Sequence, residues 1–128
     1  MRSFHDLEAF KMTYDVSLTV MKRVVPFIPD NECRLRDHLA EIVKDIPCMI
    51  ASEAEGGYFK EGKNPDSLAL NFIGEAMVLI KYCRDLHERH INRRLCNELI
   101  GVYEKARAEL RGKSGASDEE ERHETVRN

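Results

Sequence analysis

Between Lys81 and Arg94 the chain reads KYCRDLHERHINRR, a stretch that gathers Lys81, Arg84, Arg89, Arg93 and Arg94 with His87 and His90. Ammonium and guanidinium groups collected at one helix-to-helix turn suit the capture of phosphates. This stretch is therefore the candidate nucleic-acid-binding rim, able to hold RNA or DNA if several copies present it on one face. The same cations have a plainer use, because near the C-terminal end of a helix they offset its dipole and pair with Asp85 and Glu88. Cys83, His87 and His90 recur at i, i+4 and i+7 and so share a helical face, as transition-metal ligands would. Only three ligands are offered and Cys83 falls on an apolar stripe, so an inward cysteine beside two exposed histidines is expected, and no metal site is assigned. Ser52, Glu53 and Glu55 bring a hydroxyl and two carboxylates together, but a polar helix end accounts for them without acid–base chemistry. No nucleophile–base pair and no phosphate-binding glycine loop stands out, so neither catalysis nor a cofactor is expected.

The elements that must position these residues are helical. At 128 residues and 42% hydrophobic content the chain is sized for one core of long packed elements. Four prolines and seven glycines leave little material for a turn-rich sheet, while Leu, Ala, Glu, Lys and Arg recur at helical spacing, so the class is all-α. Cys33, Cys48, Cys83 and Cys96 form no CxxC pair and follow no secretory signal, which predicts a reduced, cytosolic protein. No apolar run approaches the roughly 20 residues needed to cross a bilayer, so no membrane partner is expected. The net charge is −3, and the segment after Gly112 carries three cations against five acids, leaving the body at −1. A body so nearly neutral lacks the global positive field of a non-specific nucleic-acid binder, and phosphate binding would need the local rim.

The segment from Leu35 to Glu55 organises the chain. Leu35, Leu39, Ile42, Ile46, Met49 and Ile50 form one apolar helical stripe although Pro47 sits among them. An interior proline costs about 3 kcal/mol unless packing compensates, so this helix belongs in a bundle. Before it, a helix from Asp6 to Val25 is expected to bury Leu7, Phe10, Tyr14, Leu18, Met21 and Val25, followed by a packed connection in which Phe27 and Ile28 cap the core. Asp30 or Asn31 would cap the second helix, and Gly56-Gly57 would stop it ahead of a loop to Asn64. The third helix is expected to open at Asn64-Pro65-Asp66 and to bury Ala69, Phe72, Ile73, Ala76, Ile80 and Cys83. The fourth would run from near Asn92 to Gly112 on Leu95, Leu99, Val102, Tyr103, Ala106 and Leu110. The expected organisation is an antiparallel up-down-up-down four-helix bundle over residues 1–112, with residues 113–128 a disordered polar tail.

Two helices carry apolar residues beyond these stripes: Val16, Val20 and Val24 on the first, and Leu68, Leu70, Met77 and Leu79 on the third. They are the candidate oligomer interface, since a bundle of this length buries one stripe per helix. Two different patches on one subunit imply a head-to-tail contact that closes as a ring.

With its helices placed, the chain resembles the four-helix-bundle family that includes proteins encoded in intervening sequences of bacterial 23S ribosomal RNA genes. The carrying residues are Phe4-x-x-Leu7-x-x-Phe10, Phe27-x-Pro29, Ile46-Pro47-x-x-Ile50-Ala51 and Asn71-Phe72-Ile73-x-x-Ala76, in order over Ser3 to Leu110. Met49, Ser52 and Glu53 depart from the family pattern, as does the longer loop before the third helix, so the chain looks like a divergent member. The resemblance implies a cyclic homo-oligomer, commonly a pentamer; with its apolar surplus and no catalytic motif, the chain is expected to be a scaffold that binds copies of itself and an unknown protein partner. A fold relative, the accessory variability protein of diversity-generating retroelements, binds nucleic acid through a strongly basic surface; this chain lacks that charge.

Overall fold

A computed structural model describes residues 4–56 and 67–111. Four helices, α1 (Phe4–Arg23), α2 (Cys33–Glu55), α3 (Leu68–Leu86) and α4 (Arg93–Leu110), make up nearly all of them, with no strand among the described residues. Two short 3-10 turns, Val25–Phe27 and Asp30–Glu32, join α1 to α2. α1 packs against α2 and α4, and α3 packs against the same two helices, so α1 and α3 lie across the bundle from each other. α2 holds Pro47 inside its span, and Leu39, Ile42, Val43, Ile46 and Ile50 bury around it as the middle of the shared core.

α1 faces the other way from the sequence expectation. Its buried residues are Asp6, Ala9, Thr13, Val16, Ser17 and Val20, continued by Val24, while Leu7, Tyr14 and Leu18 are exposed and Phe10 and Met21 are half-buried. Thr13 Oγ1 donates to the Ala9 carbonyl at 2.9 Å, and Ser17 Oγ donates to the Tyr14 carbonyl at 2.6 Å, so the helix satisfies its own buried hydroxyls. An orphaned buried hydroxyl would cost about 1–3 kcal/mol; with that removed, a face of small side chains packs against α2 and α4. The helix also starts at Phe4 and ends at Arg23, earlier at both ends than the sequence suggested. In the connection Ile28 caps the core as expected, but Phe27 points outward.

The start of α3 is the second correction. The helix opens at Leu68 with Ser67 as its cap; Asn64, Pro65 and Asp66 lie outside the described residues, as do most of the expected loop and the tail. Ser67 Oγ accepts from Leu70 N at 3.1 Å and donates to Glu53 Oε1 at 2.8 Å. Glu53, in the last turn of α2, also accepts from Leu68 N at 2.8 Å and from Ala69 N at 3.1 Å. The first three donors of α3, which no helix can satisfy internally, are thus all taken, and a carboxylate stands at the positive end of the helix dipole. α4 begins as expected, with Asn92 Oδ1 accepting from Leu95 N at 2.9 Å. α2, by contrast, has Glu32 at its cap position with no side-chain cap bond, and Asp30 instead meets Arg36 at 3.4 Å.

The Glu53 clamp generates a direct expectation. Glu53→Ala strands the half-buried Ala69 amide and the Ser67 hydroxyl and frees the exposed Leu68 amide, and should lower the unfolding free energy by about 1–3 kcal/mol. Chemical denaturation checks the loss, and faster amide exchange at Leu68 and Ala69 localises it.

Candidate interaction surfaces

The basic turn is built by the last turn of α3, the connection His87 to Asn92 and the first turn of α4. His87 closes α3 by donating its N–H to the Cys83 carbonyl at 3.1 Å; the amides of His90 and Ile91 then return to the His87 carbonyl at 2.9 Å each. Ile91 is buried, which pins the turn to the core. Five cations project from it and three are engaged locally. Arg84 grips Asp85 through Nε at 2.8 Å and Nη2 at 3.1 Å, and its Nη1 donates to Asn97 Oδ1 at 3.0 Å. Arg93 reaches Asp85 at 3.4 Å, and Arg94 meets Glu98 at 3.6 Å one turn along α4. The Arg84 guanidinium, with Arg93 behind it, holds the Asp85 carboxyl below the usual carboxylate range. Because the folded value is the lower one, this contribution is present above the ordinary carboxylate range and fades as the pH falls through the folded value.

Lys81 and Arg89 form no ion pair among the described residues. Arg89 and His90 line two adjoining open grooves, one completed by Asn31 and Asp85–Glu88, the other by Pro26–Asp30, with Pro29 common to both. The turn therefore brings the predicted cations together, but Asp85 and Glu98 engage three of them, Arg84, Arg93 and Arg94. His87 is 12% exposed, its Nε2 making no hydrogen bond and lying 3.8 Å from Glu32 Oε1. His90 is exposed and Cys83 is fully buried, so the Cys83, His87 and His90 spacing does not converge, and no group of three metal-ligating side chains forms among the described residues. Glu53, the candidate acid beside Ser52, is committed to capping α3.

Val16, Val20 and Val24 are core residues, and so are Met77 and Leu79; Leu70 is half-buried against the core. Of the seven expected interface residues only Leu68, at 51% exposure, stands on the surface. The exposed apolar residues are others. On α1 they are Phe4 (68%), Leu7, Tyr14 (49%) and Leu18; on α3 they are Val78, Tyr82 (54%) and Leu86 (59%). The signal that would have found them is the pair of α1 hydroxyls, Thr13 and Ser17, which form a helical face with Ala9 and Val16. No helix among the described residues is long and apolar enough to cross a membrane. Compared with protein-family models, curated proteins and solved structures, the chain matches none.

Burial separates the four cysteines. It pushes the Cys83 thiol up to about 12, with Cys96 and Glu32 adding to the effect, and raises Cys96 as well. Cys33 and Cys48 are exposed. A thiol-reactive dye should therefore label two thiols of the native protein quickly and the remaining two only on denaturation, and peptide mapping should place the slow pair at Cys83 and Cys96.

Proposed function

We propose that the protein is a non-catalytic, cytosolic four-helix scaffold that assembles with copies of itself into a ring. The observation that carries this reading is the apolar surface left on two helices that face away from each other, α1 and α3. Large contiguous apolar surfaces are uncommon on monomers, and two different ones on opposite sides of a subunit join head to tail. The proposed topology is up-down-up-down. It is supported by His5 of α1 meeting Glu109 of α4 at 2.6 Å, by Glu53 of α2 capping the start of α3, and by Glu32 just before α2 approaching His87 just after α3. Membership of the 23S rRNA intervening-sequence family belongs to the same proposal, resting on the Ile46-Pro47-x-x-Ile50-Ala51 helix and the aromatic spacing of α1; five subunits come from that resemblance alone.

Light scattering at micromolar concentration should return a multiple of the 14.8 kDa chain mass, near five, and a monomer mass overturns the reading. Leu18→Glu should dissociate the assembly while leaving helical content intact, because Leu18 lies outside the core. A glutamate at Val20, which is fully buried, should instead unfold the bundle.

The second reading is a nucleic-acid-binding accessory protein that uses Lys81, Arg84, Arg89, Arg93 and Arg94. Arg89 and Lys81, which lack ion pairs among the described residues, favour it; the Asp85 clamp on Arg84 and Arg93 opposes it. Asp85→Asn releases both guanidiniums and separates the two. On the scaffold reading neither the wild type nor this variant is retained on RNA or DNA at physiological salt; retention that grows with Asp85→Asn and falls steeply with salt would establish the rim.

A further inference from the structure

The outer faces of α1 and α3 carry the same spacing. On α1, Phe4, Leu7, Lys11, Tyr14, Leu18 and Met21 recur at alternating steps of three and four, the spacing of a coiled-coil seam. On α3, Leu68, Phe72, Glu75, Leu79, Tyr82 and Leu86 do the same with steps of four and three. Leu79 is buried in the core, Met21 and Phe72 are half-buried, and the rest are exposed. Each seam has one charged residue among apolar ones, and the two are of opposite sign.

We infer that α1 of one copy lies along α3 of the next in a single register, with Lys11 against Glu75. The inference rests on the ring proposed above, in which every copy points the same way and α1 and α3 run in parallel. With Lys11 level with Glu75, Phe4 falls level with Leu68 and Leu18 with Tyr82, seven residues to either side. Leu7 with Phe72, Tyr14 with Leu79 and Met21 with Leu86 match to within one residue, about 1.5 Å of helix rise. Sliding one helix by a heptad keeps the apolar layers but sets Lys11 against Leu68 or Tyr82 and leaves Lys11 desolvated without a carboxylate across the seam. A lone polar residue in an apolar seam fixes register in this way. Within the subunit Glu75 Oε1 already meets His38 Nε2 at 2.9 Å, but a carboxylate has acceptor sites enough for a second cation. A second copy is the occupant that fits, because the complementary length, spacing and charge are all present on this one chain.

Charge reversal tests the register. Lys11→Glu and Glu75→Lys should each weaken assembly about tenfold or more in sedimentation equilibrium, and the double variant should recover most of the loss, with circular dichroism confirming that all three stay helical. Singles and double that all assemble like the wild type overturn the register but leave the scaffold reading standing. A monomeric wild type overturns both. Cross-linking gives an independent check in a Cys33→Ser, Cys48→Ser background. Copies carrying Leu18→Cys mixed with copies carrying Tyr82→Cys should form a disulfide-linked pair under mild oxidation, whereas Leu18→Cys mixed with Leu68→Cys should not. No cross-link in the first mixture, or equal yield in both, overturns the inference.

Discussion

The structure depends on the narrow inner face of α1. Ala9, Thr13, Val16, Ser17, Val20 and Val24 are buried where α1 packs against α2 and α4, and Thr13 and Ser17 can be buried at low cost because they bond to carbonyls of their own helix. A threonine so bonded keeps its hydroxyl satisfied inside the core and avoids the cost of a buried orphan. With these small residues inside, Leu7, Tyr14 and Leu18 of the same helix are left exposed, while Phe10 and Met21 stay half-buried against the core. The apolar surface on which assembly is proposed follows from how the core is filled.

A second constraint acts where α2 hands over to α3. Glu53 and Ser67 satisfy three amide groups and each other, so the ends of the two helices are held together whatever residues 57–66 do. The α3–α4 turn is closed differently, by backbone bonds to His87 and by buried Ile91. Its side chains are consequently free to form the Arg84–Asp85–Arg93 cluster on the surface. That cluster decides the electrostatics of the turn, because a carboxylate between two guanidiniums cancels much of the field that the count of arginines suggests.

Much of the architecture was legible in the residue order. The all-α class, the stripe Leu39, Ile42, Ile46 and Ile50, the buried positions of Ala69, Ile73, Ala76, Ile80 and Cys83, and the Asn92 cap all follow from periodicity and local capping chemistry, which need no distant partner. The start of α3 was misread because Asn64-Pro65-Asp66 is a good local start signal. Ser67 with Glu53 supplies the cap three residues later, and Glu53 is fourteen residues away from Ser67 in the chain.

Residue order alone sets the four helices of the described residues, roughly where they end and which charges gather at the α3–α4 turn, because helix propensity, capping and spacing act within a few residues. Which face of α1 is inside emerges only from its packing against α2 and α4, since both faces carry apolar residues. Packing also decides which cations of the turn stay unpaired, since the Arg93–Asp85 and Arg84–Asn97 contacts need α3 and α4 side by side. Packing volume and charge pairing are properties of surfaces brought together, and a linear pattern records the candidates for both without choosing among them.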